Sequence, residues 1–77
     1  MKLKENQKIN VLGSMKKVVE VSEFENDDFF GNSIIYDLSD GSQLMYDSDS
    51  NSWSLMLKEG EEFRIYDISY KDKKFVD

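Results

Sequence analysis

An apolar-Tyr-Asp triplet recurs along this chain at ten-residue spacing or a multiple of it. The triplet stands at residues 35–37, 45–47 and 65–67, and the apolar run at residues 55–57 fills the one intervening position. Short apolar segments about 8–12 residues apart, with turn residues between them, are typical of antiparallel β-structure. The sequence has no long stretch with the apolar spacing of a helix. The pattern therefore predicts an all-β protein.

The first predicted hairpin loop is fixed by side-chain parity. A two-residue turn at Asp40 and Gly41 would place Leu44 on the opposite face of the sheet from Tyr36. A three-residue loop at residues 39–41 pairs Tyr36 with Leu44 and keeps both on one face. Gly41 then takes the left-handed position of the loop, which glycine adopts with little strain.

The same parity argument predicts the loop of the next hairpin. A three-residue loop at residues 58–60 sets Leu55 opposite Phe63 and Trp53 opposite Ile65. All four side chains then face the core. The two loops together give one consistent apolar face.

The remaining segments add strands at both ends. Residues 8–12 are predicted to form the first strand, and residues 73–76 a short final strand that carries Phe75. The run at residues 15–24 has apolar side chains on both faces, so a bulge or bend is expected around Ser22. A sharply bent strand of this kind is typical of small closed sheets.

Length and turn spacing together define the fold class. The 77 residues are enough for one domain, 1–77, with a single small core. The predicted architecture is an antiparallel meander of five to seven short strands, bent into an SH3-like or OB-like barrel or a curled sheet. The sequence has no proline to protect an edge strand, so charge, closure or a partner must protect it.

The composition excludes most catalytic chemistry. Histidine and cysteine are both absent, which removes disulfides, thiol nucleophiles, imidazole bases and the common transition-metal ligands. Paired carboxylates need a pocket that desolvates one of them and raises its pKa, and a chain this short has little room for one. We therefore expect a non-enzymatic protein without a cofactor or a bound metal.

Charge is segregated along the chain, which has a net charge of −6. The segment from Val18 to Leu57 contains neither Lys nor Arg. It carries nine carboxylates, on Glu20, Glu23, Glu25, Asp27, Asp28, Asp37, Asp40, Asp47 and Asp49. Lysines are concentrated at the two ends, at Lys2, Lys4, Lys8, Lys16 and Lys17, and again at Lys71, Lys73 and Lys74. Such an acidic middle segment attracts basic partners and repels phosphate.

The longest predicted connection, residues 25–32, contains the adjacent aromatics Phe29 and Phe30. One hypothesis makes it a recognition loop with an apolar anchor inside an acidic rim. The alternative is that one ring closes the open end of the β-structure. The candidate partner-binding residues are Glu23, Glu25, Asp27, Asp28, Phe29, Phe30, Asp47 and Asp49.

Residues 47–51 begin like a calcium-binding loop but depart from its pattern. Ser52 stands where such a loop needs glycine, and Lys58 stands where it needs a bidentate glutamate. A polar turn, in which Asp and Asn side chains cap the backbone, fits the segment better.

These features favour a non-enzymatic, acidic protein-binding module that inhibits or regulates a basic nucleic-acid-handling partner, such as a nuclease. In its small size and acidity the chain is similar to inhibitors that phages and mobile elements direct against host nucleases, including anti-CRISPR proteins and DNA mimics. This hypothesis implies no direct binding of nucleic acid. Because no apolar segment reaches the length of a membrane span, we expect a cytoplasmic protein.

Two alternatives remain open at this point. In the first, the chain is a structural or regulatory module that self-associates, as a homodimer for example, through an exposed edge strand. In the second, it is a small nucleic-acid-binding barrel that uses its lysine-rich termini.

Overall fold

The computed structural model describes residues 2–77 and consists, within those residues, of seven β-strands and no helix. The strands are β1 (Lys8–Val11), β2 (Ser14–Asp27), β3 (Gly31–Leu38), β4 (Gln43–Asp47), β5 (Ser52–Glu59), β6 (Glu62–Lys71) and β7 (Lys74–Val76). Each strand pairs antiparallel with the next, and β7 pairs parallel with β1, which closes the sheet into a ring. The predicted all-β fold is confirmed. Over residues 2–77 the structure has no helix that is both long and apolar enough to cross a membrane.

The ring consists of two sheets that share β2 and β6. Residues 14–17 of β2 pair with β1, and the rest of β2 pairs with β3. Residues 62–68 of β6 pair with β5, whereas residues 69–71 pair with β7. We call the sheet β2-β3-β4-β5-β6 the long sheet. The short sheet contains β1, β7 and the shared ends of β2 and β6, so the molecule is a curled sheet and not a regular barrel.

The core lies between the two sheets and is built around three aromatic rings. Tyr36 and Phe75 are fully buried, and the Trp53 ring lies 5.9 Å from Tyr36 and 4.8 Å from Phe75, centroid to centroid. The Leu3 backbone N–H donates a hydrogen bond of 3.3 Å to the Tyr36 hydroxyl, and burial raises the pKa of that hydroxyl. The other buried apolar residues are Leu3, Ile9, Val11, Val18, Ile34, Leu38, Leu44, Leu55 and Ile68.

The three-residue loop predicted between β3 and β4 is confirmed. The Leu38 N–H donates to the Ser42 carbonyl at 2.9 Å, which leaves residues 39–41 as the loop. Gly41 has a φ of 89°, in the left-handed region that glycine tolerates. Tyr36 lies opposite Leu44, as the parity argument requires.

The three-residue loop predicted between β5 and β6 is wrong. Glu59 pairs with Glu62, so the turn has only two residues, Gly60 and Glu61. Gly60 has a φ of 66° and Glu61 has no positive φ, as a type II′ hairpin turn requires. Because the loop is one residue shorter than predicted, the side-chain parity of β6 is reversed. Phe63 and Ile65 therefore point away from the core and are 64% and 63% exposed.

The bend predicted around Ser22 is displaced along β2. Ser22 pairs regularly with Ile35, whereas the pairing with β3 is irregular between Val18 and Glu20 and again between Phe24 and Asp27. The extra residue at the first irregularity is Val19, which is exposed. Because a bulge reverses side-chain parity, both Val18 and Val21 face the core on either side of it.

A polar network fastens the β3–β4 loop to β2. The Lys16 ammonium lies 2.7 Å from the Asp40 carboxylate, which also accepts hydrogen bonds from the Ser42 N–H at 3.0 Å and the Ser42 hydroxyl at 2.5 Å. Burial alone would raise the pKa of Asp40, but the hydrogen bonds from Lys16 and Ser42 outweigh it and hold the pKa at about 2.

Asp40 is therefore expected to make stability depend on acid pH. Because its pKa is lower in the folded protein than the ordinary value of 3.8, its contribution is complete above that value and is lost as the pH falls through about 2. Its carboxylate is partly exposed, so we expect at most about 1 kcal/mol. Urea unfolding at several pH values should show a shallower acid dependence for Asp40→Asn than for wild type. Asp28→Asn, at an exposed carboxylate, is the control, and equal acid dependence of all three proteins would contradict this role of Asp40.

Candidate functional site

Two turns that each carry predicted partner-binding residues lie side by side at one end of the long sheet. They are the β2–β3 turn at residues 28–30 and the β4–β5 turn at residues 48–51. The Ser48 N–H and hydroxyl both donate to the Asn32 carbonyl, at 3.0 Å and 2.9 Å. The Asn32 amide in turn donates to the Asp49 carboxylate at 3.2 Å. These bonds hold the two turns side by side.

Five of the predicted partner-binding residues are exposed at this end of the sheet, which we call the acidic tip. They are Glu23, Glu25, Asp28, Phe29 and Asp49. All five are among the residues predicted from the sequence. The structure brings them together although they come from two loops and the end of β2. A shallow depression runs between the loops, lined by Glu23, Glu25, Asn32, Asp49 and their neighbours.

Two of the predicted carboxylates, Asp27 and Asp47, shape the turns. One oxygen of Asp27 accepts the backbone N–H groups of Phe29 and Phe30, both at 2.8 Å. The hydrogen bonds from Phe30 and Phe29 lower the pKa of Asp27. Asp47 accepts the N–H of Asp49 at 2.9 Å, which confirms the polar turn predicted at residues 47–51. These two side chains therefore act mainly by fixing loop shape.

The two adjacent aromatics of the β2–β3 turn have different environments. Phe30 is half-buried and packs on Phe24, with ring centroids 4.5 Å apart. Phe29 is 87% exposed and meets the edge of Phe30 at 4.9 Å. Neither ring belongs to the main core: Phe30 packs on Phe24 at the end of the long sheet, and Phe29 contacts only Phe30 among the aromatic rings of the described residues. Three hydrogen bonds stabilise the turn that carries Phe29, and this turn leaves the Phe29 ring exposed to solvent.

One basic residue belongs to the acidic tip, and sequence reasoning did not place it there. The Lys2 ammonium lies 2.8 Å from the Glu23 carboxylate beside the depression. The hydrogen bond that Lys2 donates to the Glu23 carboxylate raises the pKa of Lys2. Lys2 precedes β1, and β1 lies on the short sheet. The strand pattern therefore did not indicate that the chain before β1 brings Lys2 to the acidic tip.

Lysines from both ends of the chain meet on the short sheet. The parallel pairing of β1 with β7 sets Asn10 beside Lys74. Within the same sheet Lys8 lies opposite Lys17, and Lys71 lies opposite Lys74. Four lysines, Lys8, Lys17, Lys71 and Lys74, thus lie on the short sheet, and the acidic tip lies at one end of the long sheet. We call the surface that carries these four lysines the lysine face.

An apolar row on the outer face of the long sheet was missed by the sequence prediction. The strand register puts Met56 beside Ile65, and Ile35 beside Met45. Phe63 extends the row at the end of β6 and is exposed. The signal for this row was the alternation of Phe63 and Ile65, which the wrong turn length assigned to the core.

The described residues, 2–77, contain no group of three or more Asp, Glu, His or Cys side chains arranged to hold a metal ion. No protein-family model, curated protein or solved structure matches the chain. The surfaces themselves are therefore the basis for a functional proposal.

Proposed function

We propose that this protein is a non-enzymatic binding module whose acidic tip contacts a basic, nucleic-acid-handling protein and inhibits or regulates it. The observation that carries the proposal is the 87% exposed Phe29 ring, which stands in the same turn as Asp28 and directly follows the carboxylates of Asp27 and Asp28 in the chain. An aromatic side chain in a charged rim is the usual composition of a binding hot spot, in which the ring loses water and the rim supplies steering.

The charge arrangement indicates which surface of the partner the acidic tip would contact. It favours a groove that normally binds the phosphates of a nucleic acid. Glu25 and Asp49 line one depression and Asp28 lies in the adjoining turn, whereas a phosphate-binding groove presents lysine and arginine. A protein docked there competes directly with nucleic acid. This is how inhibitors of the anti-CRISPR or DNA-mimic type from phages and mobile elements would act in the cytoplasm, and the proposal extends to that class.

A second candidate function is favoured by the lysine face. Lys8 and Lys17 lie directly opposite each other, although like charges in that position disfavour strand pairing. A phosphate backbone would neutralise them. Gel shifts with duplex DNA at low salt separate the two candidates. Tight binding that is lost in Lys8→Gln and Lys74→Gln would favour this second function over the first.

The proposed function predicts separate kinetic roles for Phe29 and the carboxylates. Proteins retained by the immobilised chain from source-cell extract are identified by mass spectrometry, and the purified partner is then used for kinetic measurements. Phe29→Ala should speed dissociation about 30-fold or more, which corresponds to about 2 kcal/mol. Glu25→Gln and Asp28→Asn should mainly slow association and weaken its salt dependence.

Phe63→Ala is the matched control, because Phe63 is another exposed phenylalanine on a different part of the surface. It should leave partner kinetics unchanged. If Phe29→Ala and the two charge-neutralised variants bind the purified partner as wild type does, the acidic tip is not the contact surface.

A further inference from the structure

One stretch of β6 has a strand on only one side. Residues 62–68 pair with β5, but β7 covers only residues 69–71 on the other edge. β2, which bounds the same gap in the ring, does not contact β6. Phe63, Arg64 and Ile65 are all exposed, so no other part of the described chain covers them. The ring is therefore closed at one end and leaves a seven-residue open edge at the other.

The turn before β6 determines which backbone groups point to this open edge. The two-residue turn is closed by the pair Glu59 and Glu62, and such a closing pair exchanges hydrogen bonds. Hydrogen-bonded and non-hydrogen-bonded pairs alternate along an antiparallel ladder. Consequently Phe63, Ile65 and Asp67 direct their N–H and C=O groups away from β5, toward the open edge.

We propose that this open edge of β6 pairs antiparallel with the same edge of a second copy, forming a two-fold symmetric dimer centred on Ile65. The open segment, residues 62–68, has Ile65 at its midpoint. Centring there sets Ile65 opposite its own copy and Phe63 opposite Asp67, so the backbone groups that lack partners meet each other. Arg64 lies opposite Tyr66 on the other face, where a cation can stack on an aromatic ring. The long sheets of the two copies then form one continuous sheet.

Other registers are disfavoured by charge, by hydrogen-bond phase or by β7. A centre at Arg64 sets two guanidinium groups opposite each other, and like charges in that position destabilise a strand pair. A two-fold axis that passes between two residues of β6 would set each residue whose N–H and C=O groups point outward opposite a residue whose groups already bond to β5. A centre at Tyr66 sets Phe63 opposite Ser69, which already pairs with β7. A centre at Ile65 also pairs the whole open segment, residues 62–68, with its copy, whereas a centre at Phe63 would leave residues 67 and 68 without a partner.

Sedimentation of the intact chain tests the proposal. The apparent mass should rise from 9.0 kDa toward twice that value between about 10 μM and about 1 mM, where associations of a few kcal/mol become visible. Ile65→Lys should stay monomeric throughout, because it sets two ammonium groups opposite each other at the two-fold axis. Met15→Lys is the control, since Met15 is 64% exposed and lies on another strand, and it should dimerise as wild type does. A wild-type protein that stays monomeric up to the highest concentration would overturn the proposal.

Disulfide trapping tests the register. Because the chain has no cysteine, single cysteines report one contact each. Ile65→Cys should form a linked dimer on oxidation, since directly opposed Cα atoms are about 5.5 Å apart, within disulfide range. Phe63→Cys alone should not, because its copies would lie about 14 Å apart along the strands. A mixture of Phe63→Cys and Asp67→Cys should link as a heterodimer. Linking of Phe63→Cys alone, with none of Ile65→Cys, would overturn the register.

This dimer does not depend on the proposed function of the acidic tip, and salt separates the two. Each copy has a net charge of −6, so added salt screens their repulsion and should increase the dimer fraction. Binding of a basic partner at the acidic tip should instead weaken with salt. A dimer fraction that falls as salt rises would contradict an apolar and backbone-mediated pairing of two acidic copies.

Discussion

Replacing Phe75 with alanine is expected to unfold most of the protein at room temperature. Phe75 is fully buried, and its ring centroid lies 4.8 Å from that of Trp53 and 4.9 Å from that of Tyr70. Removing a buried phenylalanine ring costs about 3–5 kcal/mol. A core of this size supplies only about 3–5 kcal/mol of net stability. Urea titrations followed by circular dichroism should therefore show little or no folded baseline for Phe75→Ala.

Phe29→Ala makes the same chemical change at an exposed position and serves as the control. Its free energy of unfolding should lie within about 0.5 kcal/mol of the wild-type value, as is usual for substitutions of exposed residues. If Phe75→Ala retained a wild-type midpoint, β7 would not be part of the cooperative fold and the ring would not be closed in solution.

Leu55 and Phe63 should respond in opposite ways to truncation, because the β5–β6 turn has two residues. Leu55 is buried at 1% exposure and lies opposite Tyr66, whereas Phe63 points outward. Leu55→Ala should lower the free energy of unfolding by about 2–5 kcal/mol. Phe63→Ala should change it by no more than about 0.5 kcal/mol. Thermal and urea melts of dilute protein measure both values.

The comparison has a built-in reference at the other hairpin. Leu44→Ala, at a core position whose register agrees with the sequence prediction, should behave like Leu55→Ala. A large loss of stability in Phe63→Ala would show that β6 adopts the register of a three-residue loop, and would remove the basis for the open edge.

The strands could be predicted from the sequence because their apolar spacing and turn residues agree. The predicted β3–β4 loop is also correct, since Tyr36 and Leu44 are both core residues and, of a two-residue and a three-residue loop, only the latter puts them on one face. The β5–β6 loop differs because β6 has apolar side chains on both faces. The parity argument placed Phe63 and Ile65 in the core, but Tyr66 and Ile68 on the other face satisfy it equally well. Turning Phe63 and Ile65 outward brings Tyr66 and Ile68 toward the core instead.

The candidate site was predicted only in part, because its residues are distant in the sequence. The spacing of the strands indicated which loops carry carboxylates, but not that the Asn32 amide bonds to Asp49 and joins two of them. Local sequence patterns also did not indicate that the Asp27 carboxylate would accept hydrogen bonds from the backbone of its own turn. The bulge at Val19 was misplaced because several positions on β2 satisfy the same parity requirement.

The separation of the lysine face from the acidic tip gives the molecule an electric dipole moment. In the field of a charged surface such a dipole experiences a torque, so the protein turns before it touches. A basic surface would receive it with Phe29 leading, and an anionic surface would receive it with Lys8, Lys17 and Lys74 leading. The two-fold axis at Ile65 would cancel the component of this moment perpendicular to it in a dimer. Measurements of dielectric relaxation or electric birefringence should therefore change in amplitude as two copies associate.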